Sequence, residues 1–600
     1  MWTPTIITTV VLYFCHFQQV IASSSAEWTH RRASYDPITL PIHQIVARAP
    51  QAPSASADSI GNNATTGANN GTDASSAAVA GANATVVNSG YTPAHLSSNR
   101  QSYYVLIKLG EIFFRVALDT ASSDLWILSS NCHDSSCGSV PKYPLAYHSP
   151  TFVAVNSTTG GGQTPFQASY ADGTVATGFV AKEAVTIANL TVPDQAFALV
   201  TGSNVTMTDL TSGVLGLGFP RLSSIGRSVN GSTPFFVRLA QHGLLDYPMF
   251  GISMRNSTGY LTLGAIDASV VQNASLIGWN PVVEFPPLGT DSDPEYLQWA
   301  IPLTQISIGN TTFTAQPTYP AQTNNLSYAL IDIGSSGIFG PYQDVSRIFA
   351  SIDGARYVGP DGEWVVPCDT EALMSFEFGG RNYTLKPSDY LIGPVDTSPG
   401  LCLSWPRSTP PSSDGLDWQF GSPFLGAAYT IFSYGINSKE PPMIGLYPLQ
   451  NDTVQVDTPA QLSSIFASES ATINSALPNS LISPSSFTTP PYTFTESAPP
   501  PIGDTVSSGL AISTYVALLA TELRNDSALP MITPPPSVTT LTLTNAEGLL
   551  TTSISTQSFE FVTLGVPPGW NAASQMTIPS ILSMTITWTV LSLTSLNFIF

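Results

Sequence analysis

Two short stretches of the chain carry the same arrangement of residues around an aspartate. The first is Ala117-Leu118-Asp119-Thr120-Ala121-Ser122-Ser123-Asp124-Leu125-Trp126, the second Leu330-Ile331-Asp332-Ile333-Gly334-Ser335-Ser336-Gly337. Each runs from an apolar strand into one Asp, a small residue two positions on, and then Ser-Ser. A single Asp-Thr-x-Ser-Ser turn carries little information, because short polar turns are common. Two copies whose aspartates stand 213 residues apart carry much more. They imply a duplicated architecture in which each half brings one Asp to a shared axis. Two carboxylates held about 3 Å apart cannot both ionise, so they share a proton and titrate as a pair. The ionised partner can take a proton from water, while the protonated partner polarises the carbonyl that the water attacks.

The elements needed to position such a pair are also duplicated. Val214-Leu215-Gly216 lies 97 residues after Asp119, and Gln419-Phe420-Gly421 lies 89 after Asp332. A strand that threads past an Asp loop needs Gly there, since a side chain would collide with close backbone. From Tyr103 to about Leu449, short β-rich runs alternate with Gly, Asn, Asp and Pro turns at all-β spacing. One helix is predicted from Pro234 to Gly243, PFFVRLAQHG, ending at a glycine.

On these residues the chain resembles the pepsin family of aspartic proteases across roughly residues 100–449. The resemblance implies an all-β, bilobal fold with two pseudo-symmetric β-barrel-like lobes, and hydrolysis of protein or peptide substrates at acid pH with no cofactor. Carried over residue by residue, it makes Asp119 and Asp332 the catalytic dyad. Tyr170-Ala171-Asp172-Gly173 is similar to the family's flap motif, which makes Tyr170 the flap tyrosine and Trp126 its hydrogen-bonding neighbour. Ser122 and Ser335 correspond to hydroxyls that bond the outer carboxylate oxygens, and Thr120 to one hydroxyl that braces the two loops. Two departures stand out: Ala121 replaces a usual Gly, and Ile333 replaces the second bracing Thr. They support an alternative reading, a catalytically impaired member that binds peptides or wall components at the surface.

Composition bounds the partners. Charged residues make up 10% of the chain and the net charge is −21, which argues against nucleic acid as a partner. Apart from Cys15, four cysteines are present, Cys132, Cys137, Cys368 and Cys402, and sequence alone permits three pairings. Local pairing, Cys132–Cys137 with Cys368–Cys402, is the economical one and falls where the pepsin family places its disulfides. The seven His are scattered, so no metal site is expected. Neither a Gly-x-Ser-x-Gly elbow nor a His-Glu-x-x-His zinc helix is present.

The flanking regions read differently. Residues 1–22 are expected to be a signal peptide, and 23–95 a propeptide and disordered tether, Gly61 to Gly90 holding almost no large apolar residue. The lobes are expected at 96–282 and 283–450. A Ser/Thr/Pro-rich stalk follows over 451–571, with an apolar patch at Leu510 to Leu519. Residues 572–600 read as the signal for a GPI anchor at Asn571, giving membrane association through lipid. Asn-x-Ser/Thr sites including Asn156, Asn189, Asn204 and Asn382 fit passage through the secretory route. The stalk and tail resemble the yapsin group of fungal cell-surface members, and a monomer is expected.

Overall fold

The computed structural model describes residues 40–42, 88–98, 102–469 apart from short breaks (the longest 285–295), 515–520, 524–534, 538–544, 550–556 and 560–570. The expected signal peptide, most of the propeptide, Asn571 and the tail lie outside these residues.

The architecture is mostly strand with few helices, as the bilobal pepsin-like reading requires. In the N-terminal lobe, β1 (Tyr103–Leu109) and β2 (Ile112–Asp119) form a hairpin whose alternate residues, Ile112, Phe114, Val116 and Leu118, enter the core. Period-2 alternation of this kind buries one face of the strand. After Asp119 the chain turns, and β3 (Leu125–Leu128) is fully buried. Two long strands, β4 (Val175–Ile187) and β5 (Leu190–Ser203), wrap the lobe. Then β6 (Thr211–Gly216) inserts between the first loop's two strands, parallel to β2 and antiparallel to β3.

The C-terminal lobe repeats this plan. β7 (Ser327–Ile331) leads into Asp332, β8 (Ile338–Pro341) leaves the loop, and β9 (Trp418–Phe420) lies parallel to β7 and antiparallel to β8. The glycines that end β6 and follow β9 are dictated by this threading. A Cβ on Gly216 would stand 2.5 Å from the Ser123 carbonyl carbon, and one on Gly421 2.1 Å from the Ser335 oxygen. The predicted helix forms over Phe235–Gln241, with Pro234 at its N-cap.

The lobes are joined by six successive strands of one fourteen-stranded sheet, in the order Gly278–Pro281, Met443–Pro448, Ala428–Ser433, Met249–Ser253, Thr258–Leu263, Gly90–Leu96, which continues into β1. Above it Phe219, Phe236, Phe250, Trp299, Phe432 and Tyr434 pack ring against ring. Trp299 Nε1 and the Tyr434 hydroxyl both donate to the Leu217 carbonyl, at 2.9 and 2.6 Å. Strand Gly90–Leu96 belongs to this body, so the boundary expected at residue 95 falls inside a paired strand.

The expected stalk also needs correction. Residues 515–520 and 524–534 pack on the body, because this stretch holds apolar residues that the surrounding Ser/Thr/Pro sequence lacks. Leu519 and Leu529 are buried with Tyr247, Trp279 and Ile431. The Leu519 N–H donates to Glu440 Oε2 at 2.6 Å, the Leu518 N–H to the Tyr247 hydroxyl at 3.0 Å, and the Tyr515 hydroxyl to the Leu245 carbonyl at 2.9 Å. Met531–Ile532 adds a short parallel pairing to Ile266–Asp267. Further on, the Gly565 N–H donates to the Phe113 carbonyl at 2.9 Å, and Trp570 sits edge-on to Tyr147. The Leu519→Asp variant is expected to release the strap, because it sets a second carboxylate against buried Glu440 and removes an apolar contact. The loss is about 2–4 kcal/mol, read as new protease cleavage between residues 503 and 530 and a lower melting temperature. An unchanged digestion pattern would show that the contact contributes nothing.

Candidate active site

The two Asp loops meet where the lobes face each other. An ideal Cβ on Gly334 would lie 2.6 Å from Asp119 Oδ1 and 3.2 Å from Asp332 Oδ1, so the two inner oxygens flank one point. A side chain there would fill the space between the carboxylates, which accounts for glycine. Its counterpart in the first loop is Ala121, which lies outside the positive-φ residues, so its methyl imposes no backbone strain.

Each carboxylate is held by its own loop. Asp119 Oδ1 accepts from the Ala121 N–H at 2.9 Å, and Oδ2 accepts a short bond from the Ser122 hydroxyl. Asp332 Oδ1 accepts from the Gly334 N–H at 2.8 Å. The main chains are held by the inserted strands: the Leu217 N–H donates to the Asp119 carbonyl at 2.7 Å, and the Asp332 N–H to the Phe420 carbonyl at 2.9 Å.

Thr120 crosses between the lobes. Its hydroxyl stands 3.1 Å from the Ile331 carbonyl and 3.3 Å from Asp332 Oδ1, and accepts from the Ile333 N–H at 3.0 Å. One hydroxyl thus serves both sides of the second loop. Ile333 is fully buried in the main apolar core, so its side chain contributes packing where a threonine would contribute a hydroxyl.

Ser335 differs from expectation. Its Oγ faces the Gly337 peptide, 3.5 Å from both its N and O, and makes no bond to Asp332. The outer oxygen of Asp332 is taken instead by Gln419, whose Nε2 donates to Oδ2 at 2.8 Å. Sequence reasoning used Gln419 only as part of a strand; the available signal was a polar residue at the position that Val214 fills in the other lobe.

The segment expected to be the flap is the hairpin of Pro165–Ser169 with β4. At its tip the Tyr170 N–H donates to the Thr174 carbonyl at 2.9 Å. Trp126 Nε1 donates to the Tyr170 hydroxyl at 2.7 Å, the pairing expected from sequence. Burial, then the charge of Asp119, pushes the Tyr170 phenol well up, so it stays protonated. Both disulfides join as the local pairing anticipated, with Cα atoms 6.0 Å apart for Cys132–Cys137 and 4.9 Å for Cys368–Cys402.

This geometry agrees with what the sequence matches. The profile of the family described as eukaryotic aspartyl protease fits residues 102–439, and the chain belongs to that family. It is 31% identical over 337 residues to the major aspartyl peptidase 1 of Cryptococcus neoformans, covering 54% of this chain and 64% of that protein, which is just under two thirds of its length. It is 28% identical over 337 residues to an aspartic protease of Phaffia rhodozyma, covering 55% and 73%. Cathepsin E of Mus musculus is 28% identical over 351 residues, covering 56% and 76%.

Electrostatics at the pair are governed by desolvation. Burial raises Asp119 above the usual carboxylate range, against its hydrogen bonds to Ser122 and Ala121. Asp332 is 3% exposed. Burial first, and then the charge of Asp119, pushes it up to about 7. Other buried carboxyls share the direction: Asp124, Asp267, Asp417 and Glu440 are raised by burial, and Asp344 is pushed up to about 6. A carboxyl raised on folding binds its proton more tightly in the folded than in the unfolded chain. Its contribution is complete below the unfolded value of about 4 and is lost as pH rises through the folded value. The melting temperature is therefore expected to fall between pH 4.5 and 7.5 in a pH series of thermal melts. A rise over that interval would contradict the assigned directions.

Proposed function

We propose that the chain is an aspartic endopeptidase that hydrolyses peptide bonds at acid pH through a water activated by Asp119 and Asp332. The observation that carries the reading is the meeting of two carboxylates, one from each lobe, at a single point beside a flap. With one proton between them, the ionised carboxylate takes a proton from water as that water attacks the peptide carbonyl. The protonated one polarises the carbonyl and later helps to protonate the leaving nitrogen. No acyl-enzyme forms. Tyr170, on the flap, covers the substrate and excludes bulk water, which strengthens each of these interactions. The retained Thr120 brace and the unstrained Ala121 support an active enzyme over an impaired binding module.

Asp119→Asn and Asp332→Asn should each abolish cleavage of a denatured protein substrate while leaving the melting temperature close to that of the parent. The pair acts as one unit, so losing either ionisable group removes the shared proton. Activity should fade through neutral pH, because the working form holds a proton that is lost as pH rises through the upper value of the pair. Wild-type turnover in either variant, or a rate flat to pH 8, would overturn the reading.

We further propose that the protein is secreted, glycosylated and held as a monomer on the outer cell surface or wall by a GPI anchor at Asn571. The small residues Asn571-Ala572-Ala573, the spacer and the apolar run from Ile581 support this. Phosphatidylinositol-specific phospholipase should release the protein from cells. Mass spectrometry of the mature protein that recovers Phe600 would sink the anchor.

A further inference from the structure

The bond from Gln419 to Asp332 has no counterpart in the other lobe. On the Asp119 side the outer oxygen is served by a hydroxyl from Ser122, within the same loop. On the Asp332 side it is served by an amide from a different strand, β9, 87 residues further along the chain. The two groups differ chemically. A hydroxyl can donate to a carboxylate or, by rotating, accept from a carboxylic acid; the NH2 of an amide can only donate. While Gln419 Nε2 points at Oδ2, that oxygen can be held only as an acceptor.

We propose that Gln419 is a positioning residue for the reaction, which fixes the plane of Asp332 and keeps the shared proton of the pair off its outer oxygen. The proposal rests on the aspartic endopeptidase reading. On Asp332 only the inner oxygen is then left for the proton, beside the inner oxygen of Asp119. The two inner oxygens flank the point beside Gly334 where an attacking water and a substrate carbonyl would have to meet. The second loop's own hydroxyl is turned away: Ser335 Oγ faces the Gly337 peptide, and Ser422 Oγ donates to the Ser335 carbonyl at 3.2 Å. Gln419 thus does alone what Ser122 does for Asp119, and does it without the freedom to reverse the bond.

The surroundings leave this donor exposed to measurement. The charge acting on Asp332 is that of Asp119; its remaining partners, the Gly334 N–H and the Thr120 hydroxyl, are neutral. On the flap side, Tyr170 feels the charge of Asp119 and, less, that of Asp124. Gln419 donates to the ionised form, so its removal raises the proton affinity of Asp332. A hydrogen bond to a charged group corresponds to a shift of about one pH unit or somewhat more.

The test uses the mature full chain with Gln419→Met, which keeps length and loses the donor, Gln419→Leu as a second variant, and Ser335→Ala. In both Gln419 variants the high-pH limb of kcat/KM should move up by about one unit. Their kcat should fall about tenfold, with KM changed less than twofold. Ser335→Ala should leave the limb where it is. A merely structural role for Gln419 would lower the melting temperature without moving the limb. Carboxyl 13C titration of Asp332 in the same proteins gives a readout independent of turnover, and its midpoint should rise with the limb. A wild-type protein that does not cleave, while the midpoint still rises in Gln419→Met, would uphold the contact and sink the endopeptidase reading. A wild-type protein that cleaves at acid pH, with limb and midpoint unmoved in both Gln419 variants, would overturn the proposal. So would a shift seen in Ser335→Ala instead.

Discussion

Two carboxyl groups are held in one dry place, and most of the structure follows from that requirement. Removing an ionised carboxylate from water is costly, and placing a second beside it is more so. The chain meets the demand by distributing it. Each Asp comes from a separate half, each accepts a backbone N–H from its own loop, and burial raises the proton affinity of both. The inserted strands β6 and β9 hold the two loops by backbone hydrogen bonds at Leu217 and Phe420, so the position of each Asp is set by sheet geometry. The interlobe sheet and the aromatic layer above it then fix one half against the other. Leu217 takes part in both tasks: its N–H holds Asp119, and its carbonyl receives Trp299 and Tyr434 from the other lobe.

The halves match in topology and differ in chemistry. Thr120 supplies an interlobe hydroxyl that Ile333 cannot return, and Ala121 stands where the second loop has Gly334. Ser122 and Gln419 hold the outer oxygens with groups of different capability. The environments differ too, since Asp332 is almost fully enclosed while Asp119 retains some exposure. A duplicated scaffold thus places its two acids in unequal surroundings.

Much of this was legible in the residues. The repeated Asp loops, the two glycines and the flap motif report backbone and packing constraints that only a few residue types satisfy, so the fold and the pair could be read directly. Trp126 and Tyr170 were readable for the same reason. Ser335 differs from expectation because a hydroxyl three residues after an Asp can turn either way, and the outer oxygen it was expected to serve is taken by Gln419, 87 residues further along the chain. Gln419 was invisible as a site residue for the mirror-image reason: nothing local links it to Asp332. The docking of 515–520 and 524–534 was hidden by composition. A few apolar residues in a Ser/Thr/Pro-rich stretch are enough to bind a surface already built, though far too few to build one.

That docked stretch changes what the long C-terminal region can do. A free chain joining residue 450 to residue 570 would behave as a leash with an average reach of about 60 Å, and the body would tumble on it with its cleft facing any direction. Here the chain touches down on the body at Glu440 and Tyr247 and again at Phe113 and Tyr147. Whatever is joined beyond Trp570 leaves from a fixed address on the N-terminal lobe. The site then holds a set bearing toward anything joined at that end.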